Sequence, residues 1–262
     1  MSMQLEFDPG FDVRVAPDEL AFVYGDGVFG PEPELRQLDA IRPSLLDPNC
    51  TGPDPVYGIA MDIGRKDDLP ELEKRMLLFG AVVYAEGSLG AEPVRSQGHV
   101  HAIAAHSGWS PPEIFEIWSG TAIIYAQERT EDRPGRCIAV TARPGDHVVV
   151  PPGWAHCVIN AVRHQRMVFG AWCDRQYGFD YRGVRAHGGL AWFPTFNMAG
   201  QIEWTANLRY QESMLEQRAA RAYPELGLNS RSLYRQFIDN PECVMFVPEP
   251  MRAAPQWQSF MP

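Results

Sequence analysis

Long apolar runs, basic charge and paired cysteines are what this sequence of 262 residues is short of. No stretch approaches the roughly 18 consecutive apolar residues that a membrane-spanning helix needs, so no membrane partner is expected. Lys and Arg number 23 against 33 Asp and Glu, a net charge of −10. A chain so acidic has no basic footprint for a phosphate backbone, which excludes a broad nucleic-acid interface. The five cysteines, at positions 50, 137, 157, 173 and 243, form no C-x-x-C pair and leave one over under any full disulfide scheme. Free, buried thiols of a cytoplasmic protein are the expectation. Met1 to Val13 carries acidic residues and lacks the basic opening and apolar run of a secretory signal, in line with a cytoplasmic location. Internal repeats and low-complexity segments are absent.

What is present is an ordinary globular balance, with 45% apolar and 21% charged residues, and 23 Gly and 23 Pro spread along the chain. Evenly spread turn formers predict many short strands. Residues 1–56 are rich in Pro and Asp and read as an N-terminal arm. Strand-length apolar runs follow at Tyr57–Ile63, Arg75–Ala85, Val94–Ala102, Glu113–Trp118, Thr121–Gln127, Arg136–Arg143, His147–Pro151, Cys157–Ala161 and Met167–Cys173, with a further pair at Leu190–Phe196 and Gln201–Asn207. This rhythm predicts a β-sandwich or barrel over 57–210 rather than βαβ units. Residues 211–262 read as a C-terminal helical extension and tail, with helices over Gln211–Tyr223 and Ser230–Ile238 and a Pro-rich end suited to wrapping a neighbouring surface.

The chemistry-bearing residues lie between 98 and 160. In Gly98-His99-Val100-His101 the alternation of a strand turns both imidazoles to one face, where they can converge on a metal ion. Glu113 and Glu116 offer carboxylates on opposite faces of one strand, and His156 follows a Pro-Gly turn at Pro152-Gly153. A single histidine on such a face is more often a satisfied core residue. Three with a carboxylate favour a metal cup. His147 has the opposite parity to His156, while His106, His164 and His187 read as loop residues. Glu116 is expected to point outward as a solvated or interface residue.

Two of these stretches resemble the cupin motifs. Gly145, Pro151, Gly153, His156 and Asn160 match the second motif position for position. His99, His101, Glu113 and Gly120 match the first, apart from an eleven-residue gap between His101 and Glu113 that reads as a loop inserted at a hairpin tip. The longer runs Gln97–Ala102, Pro112–Phe115 and Val149–Asn160, flanked by Tyr57 and by Gly178-Phe179-Asp180-Tyr181, resemble the cupin-type glucose-6-phosphate isomerase family over roughly residues 35–210. The resemblance implies a mainly β cupin (jelly-roll) barrel and a metal-dependent aldose–ketose interconversion. It implies one divalent ion (Fe, Mn, Ni, Co or Zn) on His99, His101, Glu113 and His156, with Glu113 as catalytic base. It also implies a sugar or sugar phosphate as small-molecule partner, with Ser96, Gly98 and Tyr181 binding it.

At the phosphate end the sequence departs from the family, with Val82, Cys173 and Phe179 where polar groups are expected. Arg95, Arg175, Arg182 or Arg185 could substitute. An isomerase for an unphosphorylated or other acidic sugar is therefore an open alternative. A cupin oxygenase, its pocket lined by Trp118, Tyr125 and Trp172, and a metal-containing sugar-binding module are two others. A homodimer is the expected assembly, since small cupin barrels commonly associate through sheet edges.

Overall fold

Alternate residues of the Glu113–Ser119 strand enter different cores in the computed structural model, which describes residues 4–262. Phe115 and Ile117 face a cluster between two sheets, whereas Ile114 and Trp118 join a second cluster on the outer face. The facing strand Ala122–Gln127 divides likewise, Ile124 and Ala126 inward and Ile123 and Tyr125 outward. Both faces of these strands are covered, which is why they read as nearly continuous apolar runs.

One sheet has six strands in the order His147–Val150, Glu113–Ser119, Met167–Asp174, Leu77–Tyr84, Tyr57–Ala60 and Glu34–Arg36. The other has four, Ala155–Asn160, Ala122–Gln127, Cys137–Ala142 and Leu215–Ala219. The protein is mainly β, with the cupin jelly roll expected from the sequence. Close packing of the outer face is visible at Gly170, where a Cβ would lie 2.2 Å from the Trp118 ring.

The arm and the extension pack on the molecule itself. Glu34–Arg36 is an edge strand of the six-stranded sheet, and Phe11, Val13 and Phe22 join the outer cluster with Phe79 and Trp118. Leu233, Tyr234 and Phe237 of the helix Leu233–Asp239 cover the same face. The tail, read as reaching for a neighbour, folds back instead, with Phe246 and Phe260 only 4% and 3% exposed.

Gln211–Tyr223 is not helical. Leu215–Ala219 pairs in parallel with Cys137–Ala142, while Met214 stands in solvent. The apolar spacing there was too weak to bury a helix face, and the free hydrogen-bonding edge of Cys137–Ala142 decides the conformation. The second helix starts later than the expected Ser230, with Ser232 in the capping position. Of Val94–Ala102, only Val100–His101 is a regular strand, with isolated bridges at Arg95 and His99. All five cysteines are free thiols. No helix among the described residues is long and apolar enough to cross a membrane.

Candidate metal centre

His99 and His156 exchange backbone hydrogen bonds (His99 N–H to the His156 carbonyl at 3.1 Å, the reverse at 2.9 Å), which sets their imidazoles side by side at 4.5 Å between centroids. His101 lies on the same side of its segment, 5.1 Å from His99 and 4.9 Å from His156. Glu113 opens its strand in the opposite sheet and points into the same space. Ligand atoms of the four residues lie within 4.8 Å of one another. The structure thus brings together every residue that the motif offered for the metal.

The ring orientations favour a cation. His101 Nδ1 is 2.9 Å from the Pro111 carbonyl and His156 Nδ1 is 3.2 Å from the Trp154 carbonyl. A carbonyl only accepts, so in both neutral rings the proton sits on Nδ1 and Nε2 carries a bare lone pair. Those two Nε2 atoms face Glu113 Oε2 at 3.2 and 3.1 Å, so acceptor meets acceptor unless a proton or a metal ion intervenes. His99 Nε2 is buried with no protein partner at all. Carbonyl-anchored imidazoles, an orphaned Nε2 and a carboxylate suit a divalent first-row ion. The loop inserted between His101 and Glu113 supplies part of this support, since Pro111 ends it and the Ser110 hydroxyl donates to the His101 carbonyl at 2.6 Å.

Electrostatics in the metal-free cup run in the same sense. Burial disfavours ionised Glu113, but hydrogen bonds and charge from His101 and His156 outweigh it and hold the carboxyl well below the usual range. Burial, reinforced by the neighbouring imidazoles, keeps His99 neutral by pushing it well down. For His101 burial is outweighed by the bond to Glu113, so its proton is held more tightly than usual.

The cup opens into a cavity of about 70 Å³. Ser96 and Tyr181, expected to contact substrate, line it; Gly98 does not. Gly98 serves the backbone instead, at φ +90°, where a Cβ would also come within 2.7 Å of Leu190. Val82, Cys173 and Phe179 are in the wall, and the Cys173 thiol donates to Glu113 Oε1 at 3.3 Å. Gln97, the first residue of the run that carries the family resemblance, also faces the cavity, as does Tyr84, which carried no signal in the sequence.

The four candidate arginines are otherwise engaged. Arg95 is a buried partner of Glu92 at 2.7 Å, Arg175 pairs with Asp62 at 2.6 Å and Arg182 with Asp180 at 2.6 Å. Arg185 donates to Gln97 at 3.0 Å. Trp118, Tyr125 and Trp172 face outer cores rather than the cavity. Of the other histidines, His106 pairs with Asp174, His187 with Asp132 and His147 with Glu116, and His164 is exposed. Glu116 does face outward, but it is fully buried rather than solvated, because the C-terminal helix seals that face.

No curated protein matches the sequence. Among solved structures, an oxalate oxidase in complex with the substrate analogue glycolate aligns at 15% identity and a TM-score of 0.35, over 47% of this chain and 54% of that one. A mutant of Bacillus subtilis oxalate decarboxylase aligns at 14% identity and 0.33, over 48% and 28%. Vicilin from Corylus avellana (hazelnut) aligns at 13% and 0.34, over 47% and 31%. This chain therefore spans about half the length of the first and less than a third of the other two. The family model for glucose-6-phosphate isomerase (GPI) matches residues 45–211, well over half of the sequence and all of the metal cup. With that match and the cupin architecture around His99, His101, Glu113 and His156, the chain belongs to the glucose-6-phosphate isomerase family.

Proposed function

We propose that this protein is a divalent-metal-dependent aldose–ketose isomerase. The observation that carries the reading is the buried set of three histidine Nε2 atoms and one carboxylate at the floor of a cavity, within the family's matched segment. Moving a carbonyl between C1 and C2 requires a hydrogen to pass between the two carbons, as a proton through an enediolate or as a hydride, and a buried carboxylate beside the cup supports the proton route. A divalent ion held by His99, His101, His156 and Glu113 would polarise the carbonyl and hydroxyl oxygens of the substrate.

Glu113 is the proton carrier. Ionised in the cup, it starts in the protonation state a base requires. Swinging its carboxylate away from His101 and His156 removes the contacts that depress its basicity while burial, which raises it, persists. The same group then returns the proton to the neighbouring carbon. Cys173 donates to Oε1 and so limits where the carboxylate can turn. The surrounding walls of Phe115, Phe169 and Phe179 keep bulk water from the intermediate.

The test is a set of isomerase assays on metal-loaded protein with Glu113→Gln alongside. Loss of turnover by at least ~100-fold with the fold retained is expected of a proton carrier. Undiminished turnover in that variant would remove Glu113 from the chemistry, and absence of aldose–ketose exchange with any sugar would sink the isomerase reading.

A further inference from the structure

The loop between His101 and Glu113 is closed on itself and held at both ends. Its Ala104 N–H donates to the Trp109 carbonyl and its Gly108 N–H to the Ala104 carbonyl, both at 2.8 Å, so 104–109 is one compact unit. At the start the Ala102 N–H donates to the Gly178 carbonyl at 2.8 Å. At the end Ser110 and Pro111 hold His101. Among the described residues, one side-chain hydrogen bond ties 103–109 to the barrel, His106 Nε2 to Asp174 Oδ2 at 2.7 Å.

Asp174 is 0% exposed, and a carboxylate in such a place destabilises the fold unless its oxygens are paired. Oδ1 accepts from the Gln176 N–H at 2.7 Å, and His106 serves Oδ2. Along the strand Met167–Asp174, Cys173 turns inward to Glu113 and Trp172 outward, so alternation places Asp174 on the outer face. His106 is on that side too, sharing a crevice with Met245 of the outer cluster. The loop therefore hooks over the end of the strand, with its Pro111 carbonyl on His101 and its His106 ring on the far side.

We propose that His106 and Asp174 are positioning residues for the metal, latching the inserted loop so that Pro111 keeps its hold on His101. The inference rests on the metal cup of the reading above and not on which substrate is isomerised. With the latch open, the 104–109 unit swings about its two ends and the Nδ1 proton of His101 loses its acceptor. The ring then turns or changes tautomer, and either event withdraws the Nε2 lone pair from the cup.

Co(II) titration of the full chain against a competing chelator tests this, with the visible d–d bands reporting the ligand set. The His106 side chain is 24% exposed, so its variants should fold, and the buried Asp174 is left in place. His106→Ala should weaken Co(II) binding about 10-fold and alter the bands, while His106→Gln, whose amide can still donate to Asp174, should stay within ~3-fold. In a His101→Gln background the alanine substitution should cost less than ~2-fold, because the ligand it acts through is gone. Wild-type affinity in His106→Ala overturns the latch. So does an equal loss in both backgrounds, which would mark a general structural role, and so does His106→Gln binding as weakly as His106→Ala. Failure of the wild-type protein to bind Co(II) removes the metal cup and the latch together.

Discussion

Glu116 and His147 are direct cross-strand partners, with His147 Nε2 3.1 Å from Glu116 Oε1, on the face of the sheet turned away from the metal cup. The same Oε1 accepts from the Leu233 N–H at 2.6 Å, and Oε2 accepts from the Trp118 indole at 2.8 Å. One fully buried carboxylate therefore ties the barrel to the first residue of the C-terminal helix.

Replacing Glu116 with Ala strands those buried donors together. A loss of about 2–4 kcal/mol in unfolding free energy is expected, with Glu116→Gln retaining part of it because an amide oxygen still accepts. Urea unfolding measures the loss, and metal titration of the folded variant should give the wild-type affinity. A shift in metal affinity as large as the stability change would show instead that the two faces of the strand are coupled.

The histidines of the cup give the metal-free protein two opposed pH dependences. Burial shifts the pKa of His99 down, so its contribution is present above the unfolded value of ~6.5 and disappears as pH falls below it. His101 is shifted up, so its contribution is complete below ~6.5 and disappears as pH rises through its folded value. Melting curves from pH 5 to 8 in chelator should show His99→Gln flattening the acid side and His101→Gln the neutral side. Identical profiles for both variants would contradict these assignments.

Breaking the Glu92–Arg95 pair should be costly. Both side chains are 2% exposed, and Glu92 also accepts from the Leu46 N–H at 2.7 Å. Arg95→Met leaves a buried carboxylate without its counter-charge, for which about 3–5 kcal/mol of destabilisation is expected in denaturant titrations. The double variant Glu92→Leu/Arg95→Met should recover much of the loss, as removal of both charges usually does.

Thiol chemistry offers a check that needs no mutation. Desolvation pushes Cys50, Cys137, Cys157, Cys173 and Cys243 all upward, Cys157 to about 12 and Cys243 to about 11. The thiolate is the reactive species, so brief iodoacetamide treatment at pH 8 should leave all five unmodified in the native protein and label all five in denaturant. Rapid native labelling of Cys173, read by mass spectrometry, would mean that the cavity opens far wider than its resting form.

The metal cup was legible because its signals are local. A two-residue alternation aims His99 and His101 together, and fixed spacings position Glu113 and His156. Val82 and Phe179 were likewise recognisable as departures from the family pattern, and both line the pocket, Phe179 against the His99 ring at 4.5 Å. The fate of Glu116 was not legible, since its deciding partner is 117 residues away and only the fold brings Leu233 to it. Arg95 looked like a free cation because nothing in a sequence distinguishes a buried pair three residues apart from two surface charges. The strand Leu215–Ala219 escaped for a related reason: its conformation is imposed by an edge more than 70 residues earlier.

That late strand also orders events in time. Until residues 215–219 are available, Cys137–Ala142 presents an unpaired row of amides and carbonyls while the strands on its other side are already complete. A nascent or truncated chain ending before residue 215 therefore carries an adhesive edge, open to any extended segment that meets it. Completion of the barrel removes that hazard, so chaperone dependence should be concentrated in the interval before this strand docks.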